Sequence, residues 1–194
     1  MRNIINKLLA ALVVLLTTSC DALDAFIGGQ TVEEYSSHQA YYTMDFSLGH
    51  ESSYLYEAVS STNVFTAISV AGATTYTLVS EKYGAETNNE TVSESILTQR
   101  TRQLGLKNGL LVGRSSFQDG QLYVFDRQCP NCWNANTYGN YPVKFSDAHN
   151  VVCNACHRTY GLLNGGVVVA GDGGEKLFRY RASYNGKVFQ VTNP

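Results

Sequence analysis

No long stretch of this chain keeps a helical period, so a helical architecture is not expected. Nor is there a run of about twenty apolar residues, the length needed to span a bilayer. The run Leu8–Leu16 (LLAALVVLL) stops at nine residues. Charge is sparse and mixed, with fourteen Lys and Arg against sixteen Asp and Glu. There is neither a basic patch nor an acidic run, which argues against nucleic acid as a partner. The Gly-x-Ser-x-Gly elbow of hydrolases and the glycine-rich loop that cradles phosphates are both missing. Gly171-Asp172-Gly173-Gly174 has no helical pattern after it and reads as a turn. No catalytic constellation is left, so an enzyme is not expected; a redox-active form would be an electron carrier. Cysteine is scarce too, with five in 194 residues, and Trp133 is the single tryptophan.

Four of those five cysteines fall in two Cys-x-x-Cys pairs, Cys129/Cys132 and Cys153/Cys156, separated by twenty residues. Each pair fits a short knuckle whose two thiolates converge, and two knuckles supply the four sulfurs of a tetrahedral site. Asn131, Asn154 and Ala155 suit tight turns whose backbone N–H groups point at sulfur. Three readings compete: one metal held by all four thiolates, disulfides or a thioredoxin-like dithiol, and four unlinked buried thiols. Nothing around either pair reads as a βαβ unit opening a helix, which counts against the dithiol. Paired loops count against unlinked thiols.

The fifth cysteine has a different setting. Arg2 and Lys7 precede the nine-residue apolar core, and Thr17-Thr18-Ser19-Cys20 follows it. That order reads as a signal segment over residues 1–19. Small residues ending in one cysteine resemble a bacterial lipoprotein cleavage site, although Thr17 stands where leucine is usual and Leu16 lies one place early. The resemblance implies that Cys20 becomes a lipidated N-terminus anchoring the chain to a membrane of the cell envelope, on a periplasmic or outer-membrane face. Losing Arg2 and Lys7 leaves twelve basic residues against sixteen acidic ones, a net charge of about −4. Residues 20–39 are polar and read as a tether, with a short helix expected at Val32–Ser37. Envelope compartments also favour disulfides, so a thiolate site there must load its metal before it is oxidised, or belong to an organism that lives without much oxygen.

Residues 40–194 read as one all-β domain, rich in Val, Thr, Tyr and Ser and punctuated by glycine. Asn63–Val70 and Thr74–Val79 form an expected hairpin around Ala71-Gly72-Ala73. Glu81–Glu90 reads as a loop and Glu94–Gln103 as a strand. Leu110–Gly113 and Leu122–Asp126 flank the turn signal Asp119-Gly120. Val151-Val152 leads into the second knuckle, and Val167–Ala170 is an apolar strand. Leu177–Ala182 and Lys187–Val191 flank Asn185-Gly186, the strongest two-residue hairpin signal. Each knuckle therefore sits between short antiparallel strands.

Gly109-Leu-Leu-Val-Gly-Arg114, Leu122-Tyr-Val-Phe-Asp-Arg127 and Cys129-Pro130 resemble the approach to the first cluster loop of Rieske-type domains. Cys153-Asn-Ala-Cys-His-Arg-Thr-Tyr-Gly161 and Leu163-Asn-Gly-Gly166 resemble the second loop and its exit. The likeness covers residues 109–191 and is to Rieske-like lipoproteins of Bacteroidetes-type bacteria. It implies a β-sandwich or barrel framework carrying a small two-knuckle subdomain, rubredoxin-like or zinc-ribbon-like, near residues 127–166. Rieske loops place two cysteines and two histidines on a [2Fe–2S] centre. The family's cysteine ligands correspond to Cys129 and Cys153. Cys132 stands near the first histidine's place, in a loop one residue longer, and Cys156 occupies the second. His157 falls one place further on. Four thiolates would lower the potential of an iron centre and suit zinc equally well. Zinc is the favoured ion, in a module that binds a partner or scaffolds the envelope. An electron-transfer protein with [2Fe–2S] or mononuclear iron is the alternative, with its own redox partner, and a thiol–disulfide oxidoreductase is the second alternative. The two-His-one-carboxylate iron centre that accompanies Rieske domains in oxygenases has no candidate, and the chain is too short for that second domain.

Beside the cysteines, Trp133 is either an apolar lid over the metal or core packing, the latter favoured. Tyr160 is expected to pack next to the site. His149 is expected in solvent, His157 at the surface or behind the ligands, and nothing recruits His38 or His50.

Overall fold

Short alternating runs of β-branched and aromatic residues set most of the architecture. The computed structural model describes residues 38–49, 53–71, 76–92, 102–137 and 139–193. The expected signal segment, Cys20, the helix at Val32–Ser37 and His50 lie outside them, as does all of the tether before His38. The first half holds β1 (Ala40–Asp45), β2 (Phe65–Ala71), β3 (Tyr76–Glu81), β4 (Asn88–Val92) and β5 (Arg102–Leu104). β6 (Leu110–Ser115) and β7 (Gln121–Asp126) follow, then β8 (Val143–Phe145), β9 (Asn150–Cys153), β10 (Thr159–Gly161) and β11 (Val167–Ala170). β12 (Arg179–Tyr184) and β13 (Val188–Thr192) end the fold.

The described strands make two antiparallel sheets. Nine strands run in the order β4-β3-β2-β6-β7-β12-β13-β1-β5, and four in the order β11-β10-β9-β8. β5 lies against β2 although they stand far apart in the strand order, so the larger sheet curls back on itself. The protein is therefore predominantly β, as expected. Among the described residues no helix is long and apolar enough to cross a membrane.

Both turn signals read from the sequence close hairpins. β6 pairs with β7 from Leu110↔Asp126 to Ser115↔Gln121, with Asp119 and Gly120 at φ 50° and 72°. β12 pairs with β13 across Asn185-Gly186, where the Asn185 side chain accepts the N–H groups of Lys187 and Val188. β2 and β3 form the expected hairpin. Three elements differ from expectation. Asn88–Glu90 belongs to β4, not a loop, because that polar stretch pairs with β3. β1 was not foreseen. Helix α1 (Tyr54–Ser60) was not foreseen either: seven residues are too few to establish a period, yet Ser53 caps it by accepting the Tyr56 N–H, and Leu55, Ala58 and Val59 are buried.

The second sheet is built from residues between β7 and β12, two strands that are hydrogen-bonded neighbours in the first. It covers the outer face of β2, β6 and β7. Phe65, Ala67, Leu111, Tyr123 and Phe125 from these strands pack with Cys129, Val143, Val151, Cys153, Tyr160, Leu162 and Leu177 in one buried cluster. Side chains alternate along a strand, so Ile68, Leu110, Val112 and Val124, also buried, face the other way. Central strands buried on both sides explain why β6 reads as an apolar run and does not alternate.

Candidate metal centre

Local chemistry shapes each knuckle. β7 ends at Asp126, whose carboxylate accepts the N–H groups of Leu106 and Gln128 and the hydroxyl of Tyr180. This fixes the exit of the chain towards Cys129. Burial pushes the Asp126 carboxyl above its usual range, against these donors and the nearby His38. Helix α2 (Pro130–Ala135) then begins with Cys129 as its N-cap and Pro130 in its first turn, a position that suits proline. The first pair thus does open a helix, contrary to expectation, but one of only six residues. In the second knuckle Cys153 ends β9, its N–H donates to the Arg158 carbonyl, and the His157 N–H donates to the Cys153 carbonyl. His157 adopts φ 57°, which turns the chain back into β10.

The two knuckles meet. The sulfurs of Cys129, Cys132, Cys153 and Cys156 all lie within 4.8 Å of one another. Cys129 Sγ is 3.7 Å from Cys156 Sγ, and Cys132 Sγ is 3.7 Å from Cys153 Sγ. Four sulfurs bound at about 2.3 Å to one zinc ion stand ~3.8 Å apart at the corners of a tetrahedron. A disulfide needs about 2.05 Å; all four cysteines are free thiols, so the disulfide reading does not describe this structure. Cys129 and Cys153 are fully buried, and Cys132 and Cys156 are half-buried.

Neighbouring groups address the sulfurs directly. The Asn131 side-chain N–H donates to Tyr160 Oη at 2.9 Å, which leaves the Tyr160 hydroxyl to donate to Cys129 Sγ at 3.1 Å. Burial raises the Cys129 thiol to about 11, although Tyr160 and the Cys132 N–H favour its thiolate. Cys132 is pushed up further, by burial and then by the adjoining Cys156 and Cys129. Cys156 goes the other way, to about 7: burial opposes ionisation, but the Arg158 N–H and guanidinium outweigh it, helped by Cys132 and Cys129. The N–H groups of Cys132 and Arg158 reach sulfur.

A strap over residues 171–175 ties both knuckles together. Asn131 exchanges two hydrogen bonds with the Glu175 backbone, each 2.9 Å. Arg158 donates to the carbonyls of Asp172 and Gly173 at 3.0 to 3.3 Å. Two glycines permit this approach. Gly171 has φ +92° and lies against the His157–Arg158 backbone, and a Cβ on Gly174 would strike the Asn131 side chain. Gly171-Asp172-Gly173-Gly174 is indeed a turn, and it serves the cysteines.

The remaining candidates sit apart from the sulfurs. His157 is exposed, and among the described residues no histidine joins the four-cysteine group. His149 is half-buried rather than in solvent, with Nε2 3.1 Å from the Asn63 carbonyl. His38 is buried and stacked on Phe178 at 3.9 Å. Trp133 is not core: it is half-buried on α2, with the Lys107 ammonium 5.2 Å from its ring centroid. A cleft of about 290 Å³ lies between Ser69–Val70 and Leu104–Gly109; no cysteine lines it, and Lys107 is its one titratable lining residue. Tyr160, Asn131 and Arg158 complete the surroundings of the site. The aromatic beside the second knuckle was legible in the sequence; the strap's two anchors were not.

Fold and site together define an all-β protein whose four converging cysteines can hold one metal ion. Comparison with protein-family models, curated proteins and solved structures finds no match.

Proposed function

We propose that the protein is a lipid-anchored, Rieske-like β-protein of the cell envelope whose four cysteines hold one zinc ion, and that this ion staples a binding or scaffold module. The observation carrying the reading is the near-tetrahedral spacing of the sulfurs, with edges of 3.7 Å and none above 4.8 Å. One ion fits that spacing. A [2Fe–2S] unit divides its four thiolates between two bridged irons and favours a wider spacing, so the reading takes a single ion. The Rieske-like part of the reading is supported by a small sheet carrying both knuckles between two adjacent strands of a larger one. The anchor at Cys20 rests on the leader sequence alone. Metal analysis with an absorption spectrum on anaerobically purified protein tests the centre. One zinc per chain and no visible colour are expected. Labelled fatty acid should enter the wild-type chain and not Cys20→Ala.

A mononuclear iron site for electron transfer is the second reading. The donors aimed at sulfur favour it, since hydrogen bonds to thiolates raise the potential of an iron centre. Stoichiometric iron, colour and a reversible one-electron couple would put this reading in place of the first.

A further inference from the structure

The sulfurs all lie close together, and the contacts at 3.7 Å run across the sequence pairs. The two contacts at 3.7 Å, Cys129 with Cys156 and Cys132 with Cys153, both cross from one knuckle to the other. Together they use every cysteine once. Each also joins a half-buried sulfur, Cys156 or Cys132, to a fully buried one, Cys129 or Cys153. The exposed member is the one a small oxidant reaches first, and the buried member is in van der Waals contact with it. Within the first pair, Cys129 and Cys132 occupy the N-cap and first turn of α2. Protein bonds keep the knuckles facing each other: Asn131 and Arg158 share the strap, and Tyr160, on β10, reaches Cys129 on the other knuckle.

From this arrangement, and resting on the metal centre proposed above, we infer that a peroxide releases the ion and closes two disulfides across the knuckles, Cys129–Cys156 and Cys132–Cys153. The exposed thiolate attacks a peroxide oxygen, the O–O bond breaks, and sulfur becomes a sulfenic acid as one water leaves. The buried partner's thiolate then attacks that sulfur, the S–S bond forms, and the oxygen departs as a second water after taking up a proton. Each disulfide costs its thiolates two electrons, and one hydrogen peroxide accepts them with two protons. Two peroxides oxidise the whole site, and the ion, stripped of ligands, passes to solvent. The oxidised module stays closed because the new bonds join the same two loops that the ion joined.

Trypsin separates the alternatives. Cleavage after Arg127, Lys144 and Arg158 puts Cys129 and Cys132 on the peptide 128–144, and Cys153 and Cys156 on 145–158. Full-length, metal-loaded protein is treated with hydrogen peroxide, blocked with an alkylating agent and digested without reductant. Zinc release is followed with a chromogenic chelator. The expected result is loss of about one ion per chain together with a single joined species of the two peptides. Fragmentation of that species should place the links at Cys129–Cys156 and Cys132–Cys153. Two separate peptides, each internally disulfide-bonded, overturn the inference, as does a Cys129–Cys153 link or disulfide formation with the ion retained. If the reduced protein as isolated carries no metal, the proposed metal centre fails instead. The same digest of that metal-free protein still decides the pairing.

Discussion

Tyr160 does more than fill space beside the cysteines. Its ring is buried, its oxygen accepts from Asn131, and its hydroxyl proton is thereby directed at Cys129 Sγ. Tyr160→Phe keeps the ring and removes that proton. Hydrogen bonds to charged groups contribute about 1.5–3 kcal/mol, so chemical denaturation of the metal-loaded variant should show a loss of about 2 kcal/mol. Metal affinity should fall by about 10- to 100-fold, the usual effect of removing a partner that supports a ligand. Unchanged affinity, measured by chelator competition, would mean that the tyrosine only packs. The thiols themselves make a second prediction. Bound metal requires thiolates, whereas at pH 7 the empty site keeps protons on Cys129, raised to about 11, and on Cys132, raised further, and Cys156 at about 7 is half ionised. Raising the pH therefore removes competing protons and strengthens binding. With at least two protons displaced, affinity should climb by at least about a hundredfold per pH unit just above neutrality. Calorimetric titrations in buffers of different ionisation enthalpy count those protons directly, and fewer than two released at pH 7 would contradict the burial of Cys129 and Cys132.

The strap at residues 171–175 is the element on which the two knuckles depend. Asn131→Ala deletes both bonds to Glu175 and the donor to Tyr160, so the first knuckle loses the strap and leans on the Tyr160–Cys129 contact. Transfer of the ion to a strong chelator should quicken by at least about tenfold, as loss of support around ligands does elsewhere. Gly174→Ala attacks the same joint from the other side, because its Cβ would collide with the Asn131 side chain. The double variant should then be little worse than either single one, since the two changes break one shared contact. Additive rates would show that the glycine acts elsewhere. Nothing in Gly171-Asp172-Gly173-Gly174 announces such a role. A turn was legible from its glycines, but its partners lie more than ten residues away in the chain and only the folded β-sheets bring them near. The hairpins were easier. Asp119-Gly120 and Asn185-Gly186 carry their geometry locally, whereas β4 (NNETV) is polar up to its last residue and is a strand only because β3 offers it a partner.

At the scale of the whole molecule, the small sheet is a side excursion between two paired strands. β7 and β12 hydrogen-bond to each other directly, through Arg179↔Phe125 and Tyr180↔Val124, so the ladder of the large sheet does not run through the cysteines. The spacing of the two Cys-x-x-Cys pairs was enough to foresee that the sulfurs meet, because four scarce residues in two short loops leave few other arrangements. That their sheet rests on the outer face of β2, β6 and β7 was hidden: Leu111, Tyr123 and Phe125 look from the sequence like any strand core. This layout sets how the protein should respond to losing its ion. The second sheet has four strands of three or four residues each and lies beside the four cysteines. Short strands of that kind bury little by themselves, so with the proposed ion in place the sheet should draw its stability from that ion and from the shared apolar cluster. Removing the metal with a chelator under reducing conditions should release the amides of β9 and β10 to fast hydrogen exchange. The amides of β6, β7 and β13 should remain protected, because their partners lie within the large sheet. The face of β6 and β7 newly exposed to water should bind a hydrophobic dye. Uniform loss of protection across both sheets would show instead that the ion holds the entire fold, and that the large sheet cannot stay closed without the layer that covers it.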